Sequence, residues 1–197
     1  MWLNDEVVNY FFMLILAREH SEHSDKVAGS PKCHFLQTVF YTRLAMQPKG
    51  YSYADVRRWT QKVKVDIFTK DLVIVPIHLP GHWTLAVINF RMHRFEYFDS
   101  KGGSNGSVLA NLQRWVQDEH NDKKGGTLFD TRDWPKVHSN MPQQGNGTDC
   151  GVFMTRTADY LARGATLDFT QSHMGFFRRR MVLEILRNSL TTPSPRA

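Results

Sequence analysis

Apolar residues recur at helical spacing near the start of the chain: Val7, Val8, Phe11, Phe12, Leu14 and Ile15 share one side of a 3.6-residue repeat. The pattern predicts a helix over 5–19, with Asn4 as N-cap because a short amide can accept from an otherwise unpaired N–H. Residues 20–32 are polar, hold Gly29 and Pro31, and read as a surface loop. An apolar patch over 34–44 fits helix or strand equally. Ser52-Tyr-Ala-Asp55 matches a capping box in reduced form and predicts a short helix running through Trp59. The period then changes. Residues 72–79, 84–90 and 94–98 are short runs of Val, Ile and aromatics, parted by Pro80-Gly81 and by Arg91-Met92-His93. They read as neighbouring strands, and LVIVPIHL is apolar enough for a strand covered on both faces.

Beyond a Gly/Ser/Asn loop at 101–107, residues Val108, Leu109, Leu112, Trp115 and Val116 mark an amphipathic helix. Residues 117–147 read as polar and turn-rich, with an edge strand within 130–137. From Cys150 the helical period returns through Val152, Phe153, Thr157, Tyr160 and Leu161, with Gly164 as the stop. A last helix is expected over 171–190, with Met174, Phe177, Met181, Val182, Ile185, Leu186 and Leu190 inward, followed by a frayed tail at 191–197. Helices, then strands, then helices suggest an α+β domain.

Composition narrows the picture. The chain of 197 residues is 41% hydrophobic, too apolar for a disordered segment, and no run approaches a membrane span. Carboxylates stand near the N-terminus where a signal peptide needs positive charge. Two cysteines are too few for a disulfide framework, so a reducing compartment is expected. Lys and Arg exceed Asp and Glu by 25 to 19, a net charge of +6, which points to an acidic partner or to a merely soluble basic surface.

Candidate chemistry sits in three segments. In PQQGNGTDCG a polar turn feeds Cys150 straight into a helix. A thiol there sees the positive end of the helix dipole, which favours the nucleophilic thiolate. Gly151 permits close approach, and the amide of Gln144 on the turn can point at a developing oxyanion. His82 opens the second strand and Asp99 follows the third, so a hairpin of those strands brings both to one sheet edge. An aspartate on one imidazole nitrogen leaves the other free to take a thiol proton. Taken singly, each residue has a blander reading: a core cysteine, a turn histidine, a strand-end aspartate. Together they suit one cleft. His78 and His82 do not form a metal pair, because Pro80-Gly81 breaks any helix between them. Arg178-Arg-Arg180 reads as a solvated helix face, and Cys33 as structural.

WLNDE at 2–6, RRWT at 57–60, VPIHL and HWTLAVI within 75–88, FDS at 98–100, QQGNGTDCG at 143–151 and FRRRM with EIL within 177–186 resemble the Ulp/SENP family of SUMO-specific cysteine proteases, in order along nearly the whole chain. The resemblance implies a papain-like α+β fold with a central mixed sheet flanked by helices, a catalytic domain over 1–190, and a flexible tail at 191–197. It implies Cys150 as nucleophile, His82 as general base, Asp99 as its orienting partner and Gln144 as oxyanion donor. Trp2 and Trp83 would roof a narrow tunnel for a C-terminal Gly-Gly, which only glycine threads unobstructed. Asp5, His78, Arg58 and Trp59 would line the surface that meets the modifier. The implied activity is cleavage after the Gly-Gly of SUMO, in precursors or isopeptide conjugates, by a monomer without cofactor or metal. SUMO and SUMO-conjugated proteins are the implied partners, without nucleic acid or membrane, and the implied location is nuclear. The rivals are a deneddylase or acetyltransferase of the same clan, a SUMO-binding module without turnover, and a basic nucleic-acid binder. The loops at 20–32 and 117–140 depart from the family in composition and would bear on the choice of SUMO form. Because the chain opens at WLNDE, a longer parent protein with targeting information ahead of it is expected, and the +6 is read as steering toward an acidic ubiquitin-like partner.

Overall fold

A computed structural model describes residues 2–20, 29–125 and 129–191. Five strands form one mixed sheet: β1 (Cys33–Phe35), β2 (Leu72–Leu79), β3 (His82–Asn89), β4 (Arg94–Phe98) and β5 (Lys136–His138), in that spatial order. β2, β3 and β4 form an antiparallel meander, and β1 and β5 join its edges in parallel. The expected α+β architecture with a mixed central sheet is therefore present.

Strand alternation builds two cores. Leu72, Ile74, Trp83, Leu85, Val87 and Phe98 face one layer with α1 (Asp5–His20), α5 (Cys150–Ala162) and α6 (Met174–Leu186). Val73, Val75, Ile77, Ala86, Ile88, Phe95 and Tyr97 face the other, with α2 (Val39–Ala45), α3 (Trp59–Lys62) and α4 (Gly106–Lys124). This double cover explains why β2 is a nearly unbroken apolar run. Asn4 caps α1 as expected: its Oδ1 accepts from Val7 N–H at 3.0 Å.

The structure corrects several readings. The ambiguous patch at 34–44 is both things in turn, a strand at 33–35 and then α2. Ser52 makes no side-chain cap; a 3-10 turn at Tyr53–Asp55 precedes a separate one-turn helix that starts, rather than ends, at Trp59. α4 continues through polar residues to Lys124 because Glu119 and His120 are themselves buried. Glu119 accepts from Tyr53 Oη at 2.7 Å, and His120 stacks on Phe129. The edge strand is confined to 136–138.

The last helix ends at Leu186, and its inner face is rotated from the expected one. Val182 is 57% and Leu186 77% exposed, while Glu184 is fully buried. Glu184 can take that place because Arg156, itself buried between the rings of Phe11 and Phe177, donates to it at 3.0 Å. Nor is the basic run simply solvated. Arg179 is exposed, but Arg178 is bonded to Asp149 and Arg180 to Glu184. Thr191 is also tied in, through its N–H and hydroxyl to Glu184. The rest of the expected tail, and most of the loop at 20–32, lie outside the described residues.

Candidate active site

Leu85 pairs with Phe98 in the β3–β4 hairpin, so His82 at the start of β3 and Asp99 just beyond β4 arrive at one edge. His82 Nε2 lies 2.7 Å from Asp99 Oδ1. Both side chains are largely covered. The loop after β4 serves the aspartate further. Lys101 N–H donates to Oδ1 at 2.8 Å, and Gly103 N–H also donates to this carboxylate. A Cβ on Gly103 would fall 2.4 Å from Asp99 Oδ2, so only glycine allows this approach. Burial pushes the Asp99 carboxyl up, but the bonds from His82, Lys101 and Gly103 outweigh it and hold the group below its ordinary value.

Cys150 is the first residue of α5 and is 2% exposed. Burial would raise its thiol. His82 and the backbone N–H groups of Trp83 and Gly151 more than offset burial, and the net shift is downward. His82 in turn is raised to about 9, first by its bond to Asp99 and then by Cys150. Its Nδ1 is buried and has no other hydrogen-bond partner, so the ring is held by Asp99 on one nitrogen and left to the thiol on the other. The expected trio thus converges as a coupled set: a thiol shifted down, an imidazole shifted up and a carboxylate shifted down.

Gln144 is anchored to the same hairpin edge. Its N–H donates to Ser100 O at 2.8 Å, and its Oε1 accepts from the buried Ser100 hydroxyl at 2.6 Å. That bond fixes the amide's orientation, and Nε2 donates one of its two hydrogens to Asn146 O. Ser100 and Gly103 went unassigned in the sequence, although FDS followed by a Gly-Gly pair is the visible signal for a carboxylate cradled by backbone.

The segment after the N-terminus runs along the tip of the β2–β3 hairpin. Trp2 is 54% exposed, and its ring lies over Gly81. Trp83 is buried and donates from Nε1 to Leu3 O at 3.0 Å. Leu3 also packs on Gly151, where a Cβ would sit only 3.1 Å from the leucine; the close approach that glycine permits here is Leu3. His78 stacks flat on Trp83, 3.9 Å between ring centroids, with its Nδ1 4.0 Å from Asp5 Oδ1. Trp2, Asp5 and His78 therefore lie around the buried Trp83, whose backbone N–H reaches Cys150. Arg58 and Trp59 do not join them. They stand in the layer on the opposite sheet face, where Trp59 meets Phe40 edge-on. Among the described residues no group of three or more His, Cys, Asp or Glu side chains is arranged to hold a metal ion, and no helix is long and apolar enough to cross a membrane.

The chain matches the model of the Ulp1 protease family, C-terminal catalytic domain, over residues 1–190. It is 41% identical to ubiquitin-like-specific protease 1A of Arabidopsis thaliana, across 94% of this chain and 37% of that protein. It is 39% identical to sentrin-specific protease 2 of Rattus norvegicus, across 96% of this chain and 30% of that protein. The chain thus spans about a third of the length of these relatives. Its fold superposes on the C-terminal Ulp1 protease domain solved in complex with Smt3, the yeast ortholog of SUMO, with a TM-score of 0.77 at 29% identity, covering 95% of this chain and 77% of that one. A buried helix-start cysteine paired with a sheet-edge histidine and aspartate, in a chain that matches the family over residues 1–190, places it in the Ulp1 protease family.

Proposed function

We propose that the chain is a SUMO-specific cysteine protease that cleaves the peptide or isopeptide bond after the terminal Gly-Gly of SUMO. The observation that carries this reading is the convergence of Cys150, at the start of α5, with His82, whose Nε2 lies 2.7 Å from Asp99 Oδ1; the thiol is shifted down although it is buried. A merely structural buried cysteine is shifted the other way. The solved complex of Ulp1 with Smt3 and the sentrin-specific relatives support SUMO as the modifier.

In this reading the Cys150 thiolate attacks the terminal glycine carbonyl. A C–S bond forms and the carbonyl π pair moves onto oxygen. The remaining Nε2 hydrogen of Gln144, with backbone N–H at the start of α5, receives that oxyanion. Collapse breaks the C–N bond as imidazolium His82 delivers its proton to the departing lysine amine. Water, deprotonated by the now neutral His82, cleaves the thioester and restores Cys150. Asp99 holds the ring throughout. Trp2 and Trp83 would flank the extended tail, the role that the family resemblance implies for them. A nuclear location, implied by the family resemblance, belongs to the same proposal.

The test is covalent capture by SUMO, NEDD8 and ubiquitin, each carrying a C-terminal vinyl sulfone. SUMO alone should be captured, at Cys150, and Cys150→Ser should abolish capture and turnover together. Capture of NEDD8 alone would make the chain a deneddylase, and capture of none would leave a binding module.

A further inference from the structure

The turn that carries Gln144 is held from within by Asn146, whose Oδ1 accepts from the N–H groups of Thr148, at 2.9 Å, and Asp149, at 3.1 Å, but Gly145 has no such bond inside the turn. Gly145, Asn146 and Gly147 are all exposed. At its upstream end the turn is pinned to Ser100. A residue far along the chain adds a second tie, from Gly145 to the start of α5. Gln171 opens the 3-10 turn Gln171–His173, which is fixed by His173 Nδ1 accepting from Thr170 N–H at 2.9 Å. The Gln171 amide spans the gap between the turn and α5. Its Oε1 accepts from Gly145 N–H at 2.7 Å, and its Nε2 donates to Asp149 Oδ2 at 2.8 Å.

Asp149 is a fixed anchor for that bridge. It immediately precedes the nucleophile and is 5% exposed. Its Oδ2 also accepts from Asn146 Nδ2 at 2.7 Å. Its Oδ1 accepts from Arg178 through both Nε, at 2.8 Å, and Nη2, at 2.6 Å. The same Nη2 reaches Thr148 O at 2.7 Å. One planar fork from α6 thus fixes the two residues before Cys150, and one amide carries that position over to the residue after Gln144.

We propose that Gln171 is a positioning residue: it sets the spacing between the Gln144 turn and the root of α5, with Arg178 holding Asp149 as its anchor. The proposal rests on the reading of Gln144 as oxyanion donor. The physical logic is that a donor acts on the transition state only if held in place beforehand, and displacement by about 1 Å is enough to cost roughly 100-fold in rate. Neither residue touches the reacting atoms. Gln171 acts through Gly145, and Arg178 through Asp149.

The experiment pairs Gln171→Met, which keeps length and removes the amide, with Gln144→Ala and the double variant. On a fluorogenic SUMO C-terminal amide, Gln171→Met should lower kcat about 10- to 100-fold with KM nearly unchanged. In the Gln144→Ala background it should cost less than about 3-fold, since the donor it positions is gone. Alkylation of Cys150 by iodoacetamide needs a thiolate but no oxyanion donor, so its pH profile should stay put. Amide exchange at Gly145 should quicken about 10-fold or more while that of α5 stays slow, a readout that needs no substrate. Equal losses in both backgrounds, a shifted alkylation profile or unchanged exchange at Gly145 would each overturn the assignment. A wild-type chain inert toward SUMO would instead count against the proposed function, leaving the exchange measurement to decide the positioning role.

Discussion

Cys33 and Cys150 are buried to the same degree, at 4% and 2% exposure, and neither is in a disulfide. Their thiols are nonetheless pushed in opposite directions. Cys33 opens β1 with its Sγ against Pro31 O, and burial raises its pKa far above an ordinary thiol, with the negative charge of Glu19 adding to the effect. Cys150 opens α5, where burial pushes the same way but loses to His82 and to the N–H groups of Trp83 and Gly151. Desolvation is common to both, so it does not distinguish a nucleophile from a core residue. The difference lies in the partner: a carboxylate beside one thiol, an imidazole kept cationic by Asp99 beside the other.

The comparison breaks first at Asp99. Asp99→Ala removes the carboxylate that raises His82, and kcat should fall about 10²- to 10⁴-fold while the fold persists, as read by steady-state kinetics with circular dichroism as control. A loss under 10-fold would mean that His82 needs no support. Gly103→Ala is gentler. The added methyl pushes Asp99 off its backbone donors, and kcat should drop about 10- to 100-fold at unchanged KM. Smallest of all is Cys33→Ala, which should leave kcat within about 2-fold and cost about 1 kcal/mol in denaturant unfolding from the lost packing. A Cys33 variant with impaired turnover would erase the contrast between the two thiols.

How far the sequence revealed all this depends on what kind of residue was being read. α1 and α5 are legible because apolar side chains leave a helical period, β2 and β4 because short apolar and aromatic runs end at turn residues, and the catalytic trio because a helix start and a hairpin edge are recognisable from local pattern. Buried charge is not. Glu119, Arg156 and Glu184 look like surface residues in a sequence, and each is interior only because a partner distant in the chain satisfies it. Arg178, which reads as part of a solvated run, and Gln171 are equally hard to read, since their meaning lies in Asp149, the residue just ahead of α5. Arg58 and Trp59 show a different limit: the motif is recognisable, but its packing against the core layer across the sheet from Cys150 is not written in it.

The central claim is that His82 lowers the pKa of the Cys150 thiol, and it is tested most directly by the pH dependence of iodoacetamide labelling at both cysteines, followed by peptide mass spectrometry. A pKa lowered in the folded state means that the thiolate appears at lower pH than in a free thiol. Cys150 should therefore be labelled with a midpoint below the ordinary value of about 8.5, and Cys33 only after unfolding. In His82→Ala only burial and the backbone donors remain, so the midpoint for Cys150 should move up. A midpoint at or above that of a free thiol in the wild type, or one that His82→Ala leaves in place, would contradict the account.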